Sequence, residues 1–479
     1  MIGRTTQIKE LNQLYNSGKA ELVAVYGRRR VGKTFLINET FEGRFAFKHA
    51  GLSPIEADDN TGAMKNQLKQ FYFSLKNYGM KKSKCPESWF EAFFMLEQLL
   101  VSRDNGSRQV VFLDELPWLD TPRSNFITAF EGFWNNWACA RKNLMVIVCG
   151  SATSWILDSL LNNHGGLYNR VTYEIKLSPF TLKECEDFFK ANKVRISKYD
   201  IVQSYMILGG VPYYLGYFQR DKSFAQNIDN MFFAPDAKLR DEYDRLFASV
   251  FKNPTLMKSI VKALNTNNSG LTRSEITQYL QIKDGETMQL ALNALIVSNF
   301  VTKYVPFGQK KKDVRYKLID QFCKFYLKFL ADQTSLSENF WQENSLSPQI
   351  VAWRGFAFES VCFNHIKQIK RALGISGLTT VQSAWVSPAS DDDSGTQIDM
   401  IIERKDNVVE MCEIKFYSNK FAVNKDYHEI LMHRVELLTK KISSKSVIHS
   451  TLITTYGLKN NEYSDDFMSV VTMEGLFGA

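Results

Sequence analysis

The stretch 21-ELVAVYGRRRVGKTFLINETF-41 decides how the first half of the chain is read. It passes from an apolar strand through a loop of glycines and arginines into a helical pattern. Within it, 27-GRRRVGKT-34 fits GxxxxGK[ST], and strand, glycine-rich loop, helix is the order that this motif requires. Gly27 and Gly32 let the backbone turn so that loop N–H groups, from Arg28 to Val31, point at phosphate oxygens. Lys33 offers a point charge to the β- and γ-phosphates, and the Thr34 hydroxyl is a ligand for magnesium. The expected bound species is therefore ATP with Mg2+. Arg28, Arg29 and Arg30 either add positive potential over the phosphates or face solvent.

A second motif completes this one. The apolar run 110-VVFLDE-115 ends in two acids. A buried strand would carry Asp114 to its C-terminal end, where α/β sheets bind ligands. Asp114 is expected to hold the magnesium through water, and Glu115 to act as base for the attacking water. A third run, 144-LMVIVCG-150, leads into Ser151, a polar residue suited to sensing the γ-phosphate.

Alternating short apolar strands and longer amphipathic stretches up to about residue 235 predict a parallel sheet covered by helices. With 479 residues, 44% apolar and 23% charged, the chain has material for several domains. No window reaches the eighteen or so consecutive apolar residues of a membrane span, and the N-terminus lacks a signal-peptide core. A cytoplasmic protein without membrane partners is expected. The seven cysteines are scattered without metal-ligand spacing and read as buried small hydrophobes. The net charge of +8 tilts mildly towards an anionic partner.

By these residues the chain resembles the STAND-type archaeal ATPases, within the AAA-like P-loop group. Ile2–Gly3–Arg4 before QIKELNQLY is similar to the family element beside the adenine, and Gly51–Leu52–Ser53 follows the second strand. Arg170 in NRVTYEIKLSPF matches an arginine that the family uses as a finger on a neighbour's nucleotide, which implies a homo-oligomer; the plainer alternative is a strand-edge salt bridge. The segment 208-LGGVPYYL-215 resembles the Gly-x-Pro element of STAND lids and places Pro212 near the base.

Residues 236–335 predict a winged helix. Three helical patterns are followed by strands FVTKYVPF and DVRYKLID around the basic turn Gly308–Lys312. Leu290, Leu292, Leu295 and Ile296 are expected on the apolar side of its third helix. The turn either touches a DNA backbone or is mere surface, the module relaying nucleotide state instead. In residues 350–479, a turn at Lys405–Asp406–Asn407 would pair Arg404 with Val408 and so set Asp399 opposite Glu413, with Lys415 on the same face. Opposed carboxylates repel unless a divalent cation lies between them, and Glu359 on a nearby helix would add a third ligand. Lys415 would orient the attacking water. His365 and His433 read as surface or packing residues. The set resembles the PD-(D/E)XK nuclease superfamily.

The expected fold is thus α/β: a P-loop NTPase parallel sheet with helical lid (1–235), a winged-helix domain (236–335) and a restriction-endonuclease-like domain (350–479). The expected function is an ATP-hydrolysing switch coupled to DNA binding and metal-dependent DNA cleavage. The alternative is a signalling or scaffold ATPase whose nuclease-like domain is inactive.

Overall fold

Every residue of strands β1 (Glu21–Tyr26), β3 (Gln109–Asp114) and β4 (Leu144–Gly150) is buried. This is why their sequences are continuous apolar runs rather than alternations. Together with β2 (Phe45–Ala50) and β5 (Tyr173–Lys176), they form a wholly parallel sheet of order β2-β3-β4-β1-β5. Alternate side chains feed two cores. Leu22, Ala24, Val111, Leu113, Val146 and Val148 pack with the helices Trp89–Ser102 and Phe126–Asn136. Val23, Val25, Val110, Phe112, Met145 and Ile147 pack with Leu11, Leu36, Ile37 and Phe41. An α/β fold with a parallel sheet therefore carries the glycine-rich loop. The computed structural model describes residues 2–53, 62–81, 83–151, 153–161, 166–167, 169–251, 253–310, 312–331, 337–387 and 395–478. The acidic run 391–394 and Lys311 of the basic turn lie outside them.

The chain divides into two compact units. The first comprises 1–179, 244–257 and 289–299; the second comprises 180–243, 258–288 and 300–479. In the second unit, β6 (Leu271–Thr272), β7 (Val301–Tyr304) and β8 (Arg315–Leu318) form a small antiparallel sheet of order β6-β8-β7. Thr272 caps the helix Arg273–Leu280 in a reciprocal box with Glu275. The helix Glu286–Val297 corrects one expectation: Leu290 is 58% exposed. Met288, Ala291, Leu292 and Leu295 are the buried stripe, spaced as one helical face, and Leu290 falls outside it.

The larger sheet of this unit runs β13-β12-β11-β10-β9, with β9 Thr380–Ser387, β10 Thr396–Arg404, β11 Val408–Lys415, β12 Val447–Thr454 and β13 Ser469–Val471. Its core gathers Phe307, Trp385, Ile398, Ile401, Met411, Leu438 and Leu452. Helix Pro348–Asn364 packs against β11. Among the described residues, no helix is long and apolar enough to cross a membrane. Five of the seven cysteines are buried; Cys85 and Cys139 are exposed.

Candidate functional site

The chain leaves β1 at Tyr26 and turns at once. Gly27 has φ +139°, and a Cβ there would stand 2.2 Å from the Leu177 carbonyl oxygen, so glycine alone permits this close passage. Gly32, at φ +89°, leads into the helix Lys33–Thr40, whose N-terminus has no side-chain cap and keeps N–H groups for an anion. The buried Lys33 ammonium folds back over the loop and donates to the carbonyls of Gly27 (3.0 Å) and Arg28 (3.1 Å) and to Ser151 Oγ (3.2 Å). Arg28 is buried, with its guanidinium 3.3 Å from the Arg29 carbonyl. The solvent-facing alternative thus fails for that residue. Arg29 lies over the Trp118 ring, and Arg30 takes a left-handed φ of 73° within the loop.

The acids arrive as the strand order dictates. Thr34 Oγ1 donates to Asp114 Oδ2 at 2.8 Å, and the Glu115 amide donates to Asp114 Oδ1 at 3.0 Å. Burial, and then the neighbouring Glu115, raise the Asp114 carboxyl above its ordinary range, while the Thr34 hydroxyl opposes this. Glu115 sits at φ 46°, ψ 49°, a left-handed conformation rare for a side chain with a Cβ. Both its carboxylate oxygens are held by one residue: Ser151 donates its hydroxyl to Oε1 (2.7 Å) and its amide to Oε2 (3.0 Å). Lys33, Ser151 and Glu115 therefore form one hydrogen-bonded chain beside the Thr34–Asp114 pair. These groups fit Mg-ATP: hard oxygen ligands on one side, an ammonium and a helix N-terminus on the other.

Two supports were not legible from the motif. The Arg4 guanidinium, nearly buried, donates to the carbonyls of Val31 (3.2 Å) and Ser178 (2.8 Å), fastening the loop to the segment after β5. Gln67, also buried, donates to the carbonyls of Leu52 and Trp118 and accepts the Leu52 amide. It fixes the Gly51–Ser53 turn over the acidic strand end. Arg170 is exposed in the turn before β5, and among the described residues it has no ion-pair partner, which removes the strand-edge salt bridge. Pro212 opens the short helix Pro212–Leu215 of the second unit.

The C-terminal residues come together differently. The ladder runs Glu403↔Val409 to Met400↔Cys412, with Asn407 at φ 63° in the turn, so Asp399 is next in line towards Glu413 as counted. Asp399 lies within a register shift of the β9–β10 pairing, and its Oδ2 accepts the Ile414 amide at 3.0 Å. The expected cation between the acids is replaced by protein. Glu413 is wholly buried, with Oε1 2.5 Å from Arg434 and Oε2 receiving the Tyr427 hydroxyl at 2.6 Å. Lys415 stands 3.7 Å from Glu413 Oε2 and lies over the Tyr427 ring. Burial first, then Asp399, push Glu359 up to about 7 against the pull of Lys317, Lys324 and Lys415. Among the described residues, no three His, Cys, Asp or Glu side chains gather as a group able to hold a metal. As arranged, Glu359, Asp399 and Glu413 do not fit a divalent ion.

His365, expected to be surface or packing, is fully buried. Its Nε2 accepts the Leu182 amide at 3.0 Å, and its Nδ1 lies 2.8 Å from the Val361 carbonyl.

Loop, strand order and acid pair define a P-loop ATPase domain in the first part of the chain. Residues 1–218 match a family model described as an ATPase domain predominantly from Archaea. An uncharacterized protein of Methanocaldococcus jannaschii, MJECL04, is 26% identical over 378 residues, 77% of this chain and 78% of its own length. An uncharacterized ATP-binding protein of the same organism, MJ0423, is 42% identical over 43 residues, 9% of this chain and 73% of its own. Among solved structures, the Walker-type ATPase PABY2304 of Pyrococcus abyssi covers 69% of this chain and 96% of its own, at 17% identity and a TM-score of 0.47. The Aeropyrum pernix ORC2 protein covers 68% and 92%, at 13% identity and a TM-score of 0.41.

Proposed function

We propose that this chain is an ATP-hydrolysing switch of the STAND type, coupled to DNA binding by its second unit. The observation that carries the ATPase reading is the Lys33–Ser151–Glu115 chain beside the Thr34–Asp114 pair. On binding, Lys33 exchanges its loop carbonyls for phosphate oxygens. Thr34 and Asp114 hold the magnesium, which supplies Lewis-acid stabilisation of the phosphate charge. Glu115, oriented by Ser151, takes the proton of the attacking water. Phosphate release and a fluorescent ATP analogue test this. Lys33→Ala should lose hydrolysis and most affinity, whereas Glu115→Gln should still bind ATP while hydrolysing it roughly a hundredfold more slowly. Equal loss of binding in both would remove Glu115 from its role.

The DNA reading rests on the β6–β8–β7 sheet with its capped helix, which supports a winged helix, and on exposed Lys310 and Lys312 at the β7–β8 turn. On the nuclease reading, Glu413 and Lys415 of the E-x-K triplet cut DNA with magnesium. The Arg434–Glu413 pair favours a second reading, a nuclease-like scaffold that does not cut. Cleavage of plasmid DNA with Mg2+ or Mn2+, lost in Glu413→Gln, selects the first; ATP-dependent assembly in sedimentation without cleavage selects the second.

A further inference from the structure

Two lysines outside the C-terminal motif converge on its acids. Lys317, on β8, is within electrostatic reach of Glu359 and Asp399. Lys324, on the helix Gln321–Phe329, reaches Glu359 too, and its ammonium donates to the Ser360 hydroxyl at 2.6 Å. Both side chains are only partly exposed, and among the described residues neither makes a contact ion pair. Lys317 lies over the Phe363 ring, one helical turn beyond Glu359. Two ammonium groups packed near each other repel, so their placement is explained by the carboxylates they face. Around those carboxylates stand four cations, Lys317, Lys324, Lys415 and Arg434. The acids are Glu359, Asp399 and Glu413, with Asp320 beside Lys324 but engaged in capping its helix through the Cys323 amide. Charge is balanced without a metal, and a divalent ion would add two positive charges to a compensated cluster.

We propose that Lys317 and Lys324 are an internal cation lock on the C-terminal carboxylates, filling the electrostatic place of a divalent ion and keeping the site closed to metal until they are withdrawn. This rests on the nuclease reading of the same acids. The lock comes from β8 and the helix that follows it, not from the sheet that carries the acids. A site built in this way is switched by moving one strand–helix segment.

The test is calorimetric titration of the full chain with Mn2+ alone, without nucleotide, counting only the heat that disappears on Asp399→Asn. The wild type should show none up to millimolar metal. The Lys317→Met/Lys324→Met double variant should show one such site, bound at least tenfold more tightly. Without metal that variant should melt at a lower temperature than the wild type, and Mn2+ should restore it, because binding is linked to folding. The single variants, each keeping one lysine, should gain intermediate affinity and serve should the double variant misfold. Equal Asp399-dependent binding by wild type and variants overturns the lock and leaves the metal reading standing. No Asp399-dependent binding in any variant overturns both, since the freed acids then hold no metal.

Discussion

Ser151 is the residue through which the nucleotide site can be tested most sharply. Its hydroxyl receives the Lys33 ammonium and donates to Glu115 Oε1, while its amide independently holds Oε2. Ser151→Ala deletes one hydroxyl bond to a carboxylate, worth about 1.5–3 kcal/mol when the partner is charged. The surviving amide bond keeps Glu115 in place in part, so the lower end of that range applies to its orientation. At about 1.4 kcal/mol per factor of ten, hydrolysis should slow by about tenfold. Lys33 retains its bonds to Gly27 and Arg28, so nucleotide affinity should change less than threefold, an expectation of roughly 0.6 kcal/mol or less. Steady-state phosphate release gives kcat, and titration of a fluorescent ATP analogue gives affinity. A wild-type kcat in Ser151→Ala would show that the serine does not orient the base. A loss of affinity equal to the loss of rate would move Ser151 from Glu115 to the phosphate itself.

Other outcomes follow from the same geometry. Arg170→Ala should bind ATP normally and hydrolyse it far more slowly, an arginine finger being worth on the order of a thousandfold; mixing it with Glu115→Gln subunits should restore activity, and no recovery at any ratio, with assembly confirmed by sedimentation, would give Arg170 a structural role. Arg434→Met should destabilise the second unit by about 3–5 kcal/mol by stranding the buried Glu413 carboxylate, and Glu413→Gln in the same chain should recover most of it; urea melts that show additive losses would refute the pairing. His365 has its pKa lowered to about 4 by burial, against an ordinary value of 6.5. The unfolded chain therefore takes up the proton first, so the His365 contribution is intact above pH 6.5 and is lost as pH falls from there towards 4. The stability difference between wild type and His365→Asn should shrink across that window in urea melts at pH 7.5 and pH 5, and a constant difference would contradict the neutral, buried imidazole.

The first unit's site was legible because its chemistry is local. Gly27–Thr34 is one continuous segment, and Asp114–Glu115 ends a strand whose apolar run announces its place in a parallel sheet. Glu115's left-handed backbone and its double hold by Ser151 were hidden, since neither has a periodicity or spacing that a sequence displays. In the C-terminal sheet, counting back from the Lys405–Asn407 turn gave the β10–β11 register, because an antiparallel pair with a short connection has few alternatives. What the counting missed was the counter-charge. Arg434 lies on the helix Lys425–Thr439, and Lys317 and Lys324 come from the middle region, so only tertiary packing brings them to Glu413 and Glu359. The argument that opposed acids demand a metal was sound in its electrostatics and incomplete in its list of cations. Leu290 failed for a smaller reason: three leucines in a short helix do not by themselves say which two face inward.

Glu115 also constrains how this chain could be improved. Its left-handed φ of 46° stores strain of about 1–3 kcal/mol, and Gly51 must remain small beside it, since a Cβ there would stand 2.9 Å from the Glu115 carbonyl. Glycine or asparagine at 115 would relax that backbone. A library selected for heat resistance alone should therefore enrich those residues at position 115, and its most robust members would be dead catalysts.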